Sequence, residues 1–211
     1  MAVQFSQRTI SDFKSKLVGG GARPNLFEVQ VAFPEEVLAK TDAEAEIPFM
    51  VKAAELPASN VGDIPVNFRG RILHVAGDRT FDPWTVTVIN NTDWKIRKAF
   101  ESWSDLMNDR TYDTASTSPL VYQRNAKVFQ LGRGQGSTAG SNTKKPGGNT
   151  AIPVLAAYKF FGIWPSQVSS IALDYGSTDT VEEFQVTFQV EFWTPDYKNS
   201  WEEVSKGSVN V

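Results

Sequence analysis

The chain contains no cysteine and a single histidine. The first absence excludes disulfides, thiol catalysis and cysteine-ligated metals, and fits a reducing compartment. The second leaves His74 without the partners that a nucleophilic triad or a histidine metal site needs. It stands in Arg71-Ile-Leu-His-Val-Ala76, which reads as strand. No run approaches the ~20 apolar residues that span a bilayer. The opening stretch, MAVQFSQRTI, lacks the apolar centre of a signal peptide. A soluble protein outside that export route is therefore expected. An excess of basic charge is missing too. The formal net charge is −3, which gives no general pull toward nucleic acid or acidic membranes.

Catalytic constellations are equally scarce. The adjacent carboxylates Glu35/Glu36, Glu182/Glu183 and Glu202/Glu203 read as solvated acid. Neighbouring residues on an extended segment face opposite ways, so Glu182 and Glu183 cannot converge on one bond there. Gly132-Arg-Gly-Gln-Gly-Ser-Thr138 lacks the spacing of a phosphate loop, and no helix pattern follows it. Neither Lys144-Lys145 nor the exposed aromatics make a nucleic-acid site. The expectation is a protein that is not an enzyme and holds no cofactor or metal.

What the chain has is patterned strand. Phenylalanine (14) and tryptophan (6) are plentiful, as suits a β-rich core. In Phe184–Phe192 the residues Phe184, Val186, Phe188, Val190 and Phe192 alternate with Gln185, Thr187, Gln189 and Glu191. Strand side chains alternate between faces, so this is a half-buried β-strand. Its polar face carries one charge and suits bulk water or a water-filled channel. Charge is uneven elsewhere: residues 27–49 hold six acids against Lys40, and residues 182–203 hold six against Lys198.

Residues 1–26 read as an arm, with a short helix capped by Ser11, carrying Phe13 and Leu17, and ended by Gly19-Gly20-Gly21. Strands follow at Phe27–Phe33, Ile47–Leu56, Ile64–Phe68, Arg71–Ala76 and Trp84–Ile89. Gly77-Asp78 reads as a turn into a loop over Asp78–Pro83. Ile96, Phe100, Trp103 and Met107 form one helical stripe, with Asn91, Thr92 or Asp93 available at its start. Strands are expected again at Val121–Leu131, Val154–Trp164, Val168–Leu173 and Glu182–Trp193. The polar stretch Gly132–Thr150 is too long for an ordinary connection. The sum is about nine strands and one helix: a mainly β chain, a β-barrel or sandwich with a flanking helix.

Several blocks then resemble, in order, one family. Ala22-Arg-Pro-Asn-Leu-Phe27 runs into the first strand. Leu56-Pro57-Ala58 and Ile64-Pro65-Val66 form the next corner. Val75-Ala-Gly-Asp-Arg-Thr-Phe-Asp82 leads to Trp84-Thr-Val-Thr-Val88. Trp164-Pro165 and Asp174 fall in the last hairpin, and Phe184-Gln-Val-Thr187 through Trp193 in the closing strand. Together they resemble the tail tube proteins of contractile-tailed, T-even-like bacteriophages.

The resemblance implies a β-barrel domain over residues 27–195, with a polar insert at about 129–154 and a polar tail at 196–211. It implies hexameric rings stacked into a hollow tube, with a sheath outside, baseplate and terminator proteins at the ends, and viral DNA passing without specific binding. The place would be the virion tail, assembled in the host cytoplasm, with no membrane. Gln185, Thr187, Gln189 and Glu191 would face the lumen. Arg23, Asp42, Glu44, Asp78, Arg79 and Phe81 are candidates for contacts between subunits or rings. The insert would project outward, toward the sheath, or lie ordered over a neighbouring subunit. Alternatives are a type VI-like secretion tube subunit, a baseplate tube initiator, or a barrel holding a small ligand.

Overall fold

The computed structural model describes residues 9–17, 21–38, 43–112, 114–116, 118–132 and 154–196. Asp42, nearly all of the polar insert and the tail beyond residue 196 lie outside the described residues.

Nine strands are present among them: β1 (Phe27–Val31), β2 (Val51–Ala54), β3 (Ser59–Phe68), β4 (Arg71–Phe81), β5 (Trp84–Ile89), β6 (Arg124–Leu131), β7 (Val154–Val168), β8 (Glu183–Gln189) and β9 (Phe192–Asp196). Helices are α1 (Ile10–Lys16), α2 (Glu35–Leu38), α3 (Ile47–Met50), α4 (Lys95–Met107) and α5 (Pro119–Tyr122). One sheet runs β1-β6-β7-β9 and the other β2-β5-β8-β7, all antiparallel. They share β7 and form one seven-stranded system. The chain is thus mainly β, a sandwich joined along one bent strand.

The bend has a cause. β7 passes through Gly162 in the left-handed region, φ +61°, a conformation that costs other residues free energy. Opposite it, Glu191 breaks the C-terminal alternation and donates its N–H to the Phe161 carbonyl at 3.2 Å. The expected single strand Glu182–Trp193 is therefore two. β8 pairs with the distal half of β7, and β9 with its proximal half.

The core lies between the sheets and under α4. Val29, Val31 and Phe33 meet Trp84, Val86 and Val88, and Phe184, Val186 and Phe188. Trp84 stacks on Phe160 at 4.6 Å and on Phe188 at 5.3 Å. α4 adds Ile96, Ala99, Phe100 and Trp103, all buried. The Trp103 indole N–H donates to the Tyr122 carbonyl at 2.8 Å, which satisfies its polar end. Before the helix, Trp94 is left-handed (φ +59°), and the Asp93 carboxylate accepts the Lys95 N–H at 3.2 Å.

Several sequence expectations shift. Thr9, not Ser11, caps α1, in a capping box with Asp12. Pro48 places the short helix α3 where the strand Ile47–Leu56 was expected to begin, and Pro119 does the same through α5 before β6. β7 extends to Val168, whereas Ile171–Leu173 is not strand. Gly77-Asp78 is no turn, and Asp78–Phe81 no loop: both belong to β4. A bulge lies there, where a Cβ on Gly77 would come within 3.2 Å of the Gly62 carbonyl oxygen and of Ile64 Cγ1, a tight fit.

β2 and β5 continue into β3 and β4 as one ribbon. Ala54 pairs with Val86 and Ser59 with Phe81. Both strands advance by the same number of residues between those pairs, which sets Pro57 opposite Pro83. Neither has an N–H to give, so the ladder stops there. It resumes where the Asp82 N–H donates to the Ala58 carbonyl at 3.2 Å.

Candidate assembly surfaces

Beyond the two prolines, the β3–β4 hairpin leaves the body. Its ladder partners are each other, and from Gly62 to Ala76 every residue is exposed. The tip is a tight turn with Arg69 at φ +49° and Gly70 at φ +79°, the left-handed pair that a two-residue hairpin needs. Directly opposed residues share a face. Ile64 with Val75, Val66 with Leu73, and Phe68 with Arg71 form one face; Asp63 with Ala76, Pro65 with His74, and Asn67 with Ile72 form the other. The first face is apolar up to the tip, where Arg69 lies 5.2 Å over the Phe68 ring. Its exposures are high, 66% for Phe68 and 61% for Leu73. On the second face His74 Nδ1 lies 2.7 Å from Asp63 Oδ2. An isolated two-stranded hairpin is marginal in water, and contiguous exposed apolar surface marks an interaction site.

Asp78, Arg79 and Phe81 lie at the base of this hairpin, on β4. Phe81 packs edge-on against Trp193 at 6.0 Å, and Asn60 donates to Asp82 at 3.0 Å. The Phe81–Trp193 contact moors the hairpin to the body. Sequence reading placed the outer strands of this hairpin, Ile64–Phe68 and Arg71–Ala76, but missed their continuation to Ser59 and Phe81 and their projection from the body.

A second surface is the outer face of the β2-β5-β8-β7 sheet. Thr85 lies opposite Thr187, and Thr87 opposite Gln185; Gln167 flanks Thr187 from the other side. The Thr85 and Thr187 hydroxyls are 3.2 Å apart, and the Ser166 hydroxyl donates to the Thr187 carbonyl at 3.0 Å. Charge enters at the margin, where Lys52 meets Glu183 at 2.6 Å. Gln185, Thr187 and Gln189 thus sit on one neutral polar face. Glu191 does not continue that row: it lies at the bend, against Gly162.

The remaining candidates are scattered. The Arg23 carbonyl accepts from Gln130 Nε2 at 2.8 Å and its side chain is exposed. Glu44 is half-buried, and burial raises its carboxyl pKa above the ordinary glutamate range. Further apolar side chains stand free: Phe13 on α1, Phe49 on α3, and Leu173 and Tyr175 in the loop before β8. A polar cleft of about 200 Å³ beside α4 contains Arg97 and Arg110, but these pair with Glu101 and Asp105. Among the described residues no cluster of three or more metal-ligating side chains occurs. No described helix is long and apolar enough to cross a membrane.

The fold is one already seen in contractile injection systems. The chain superposes on a subunit of the sheath-tube complex of an extracellular contractile injection system (PVC) with a TM-score of 0.53 at 10% identity, covering 90% of this chain and 99% of that one. It matches a chain of the anti-feeding prophage tube-terminating cap with a TM-score of 0.54 at 13% identity, covering 93% and 99%. These likenesses establish fold alone. Sequence goes further. The family described as phage tail tube protein matches residues 22–195. Tail tube protein gp19 of Enterobacteria phage T4 is 32% identical over 175 residues, 83% of this chain and 92% of that protein. The tail tube protein of Serratia phage KSP90 is 24% identical over 178 residues, covering 83% and 90%. The chain belongs to the phage tail tube protein family.

Proposed function

We propose that this chain is the repeating structural subunit of a contractile phage tail tube. Copies close into hexameric rings, and the rings stack into a hollow conduit inside the sheath, with baseplate and terminator proteins at its ends. The protein resides in the virion tail and carries out no catalysis. One observation carries the reading beyond the family: a long amphipathic hairpin whose apolar face has no cover among the described residues. Burying that face against identical copies would stabilise both hairpin and polymer.

A ring needs a head-to-tail contact that closes, and a tube needs a second contact that does not. The hairpin and its base (Asp78, Arg79 and Phe81) serve such contacts, as do Arg23, Asp42 and Glu44. The neutral outer face carrying Gln185, Thr187 and Gln189 lines the lumen, with Glu191 at its margin. A lumen without rows of lysine and arginine lets a polyanion slide, because phosphate binding is driven by those cations. The domain at 27–195 forms the wall. The polar insert stays out of the ring-to-ring contact, so deleting residues 133–150 leaves assembly intact.

The test is negative-stain electron microscopy of the chain expressed alone. Stacked rings or tubes of uniform axial repeat are expected. Persistent monomers at high concentration, also after addition of a tube-initiating baseplate complex, would overturn the reading.

A further inference from the structure

Resting on the tube reading, the hairpin also specifies which strand border is open to a neighbour. Pro65 is paired in β3 directly opposite His74. A proline has no N–H, and inside a paired strand it is tolerated where its nitrogen points away from the partner. Pro65 and His74 are then a pair that exchanges no hydrogen bonds, and the backbone groups of both point outward. The same holds two residues away on each side, at Asp63 with Ala76 and Asn67 with Ile72. The free border of β3 therefore offers donors at Asp63 and Asn67 with a gap between them. The free border of β4 offers an unbroken series at Ile72, His74 and Ala76.

Other borders are blunted in the same manner. Pro195 on β9 is paired opposite Tyr158, and Pro165 on the distal half of β7 opposite Phe188. Among the described residues each of those segments has one paired neighbour, so the proline interrupts its open side. β1 has α3 packed beside it. β2 is four residues long and carries Lys52. β4, at 11 residues without a proline, is the longest border that can take a strand. We propose that a strand of a second copy adds to β4 through the backbone groups of Ile72, His74 and Ala76, while the free border of β3 stays unpaired. Main-chain pairing across subunits would then hold the hairpin, with its apolar face buried by the same neighbour.

The test is residue-resolved amide hydrogen exchange on assembled tubes and on the dissociated subunit. Assembly should slow exchange at Ile72, His74 and Ala76 by ~100-fold or more, within the range of ordered ladders, and leave Asp63 and Asn67 nearly unchanged. Slowing at Asp63 and Asn67 instead, or at neither set, overturns this assignment while the tube itself stands. Failure of the chain to polymerise at all sinks both. Substitutions give a second readout. His74→Pro removes one outward donor without touching the β3–β4 ladder and should abolish polymer. Asn67→Pro does the same on the β3 border and should be tolerated. His74→Ala separates the backbone effect from loss of the Asp63 contact and should still polymerise. Equal behaviour of His74→Pro and Asn67→Pro contradicts the proposal.

Discussion

The Glu191 side chain occupies the space that a side chain on Gly162 would need. A Cβ built there lies 2.5 Å from Glu191 Oε2 and 2.9 Å from its Cβ. The bend in β7 and the break between β8 and β9 are thus one feature, and it lets a single strand serve two sheets. Gly162→Ala should destabilise the subunit by at least about 1 kcal/mol through the left-handed backbone alone, with more from displacing Glu191. Thermal melting checks this. Adding Glu191→Ala to that variant should recover only the part owed to the carboxylate, because the contact with the Cβ of residue 191 at 2.9 Å remains.

Phe100 couples α4 to both sheets. It is fully buried and touches Phe33, Trp103, Phe184 and Phe188. Phe100→Ala should cost about 3–5 kcal/mol, as large-to-small changes in aromatic cores do. A urea titration of the unassembled subunit would show a lower midpoint. An unchanged midpoint would mean that α4 is not held by this cluster.

Glu44 makes stability depend on pH. Burial raises its folded pKa above that of the unfolded chain. The folded state then binds that proton more tightly, so this group favours folding at low pH. The favour is lost as pH rises through the folded pKa, and at neutral pH the charge is a cost. Glu44→Gln should raise Tm at pH 7, and the gain should vanish below about pH 4, where glutamate is protonated in both states. A gain that persists at low pH would point to packing rather than charge.

The neutral outer face makes a prediction about transport. Gln185→Lys with Gln189→Lys adds cations to the proposed lumen without touching the buried face of β8. Tubes should assemble as before, and genome release should slow, more strongly at low salt. Normal release kinetics from particles carrying both changes would remove these residues from the lumen.

Much of this was legible in the residues. The strands and α4 followed from periodicity, because a buried face must repeat with the geometry of its element. The neutral row on β8 was visible for the same reason. Breaks were harder to see. The alternation of Phe184–Phe192 runs unbroken in the sequence, yet the bend at Glu191 moves the core-facing position from Phe192 to Trp193 and leaves Phe192 38% exposed. The cause sits far away in sequence, at Gly162. The hairpin was misread at Gly77-Asp78, where glycine makes a bulge rather than a turn. Its lack of cover was illegible because a strand facing a neighbour has the same pattern as a strand facing its own core. That Pro57 falls opposite Pro83, and so interrupts the ladder, depends on the register between segments distant in sequence.

The central claim is that the apolar face of the hairpin is covered by another copy. Replacing Ile64, Val66, Leu73 and Val75 with threonine keeps β-propensity and removes the apolar face. Sedimentation velocity of this variant beside the wild-type chain measures the consequence. The account expects wild-type polymer, and a variant that stays monomeric with an unchanged melting temperature. A variant that polymerises to the same extent as the wild-type chain would contradict it.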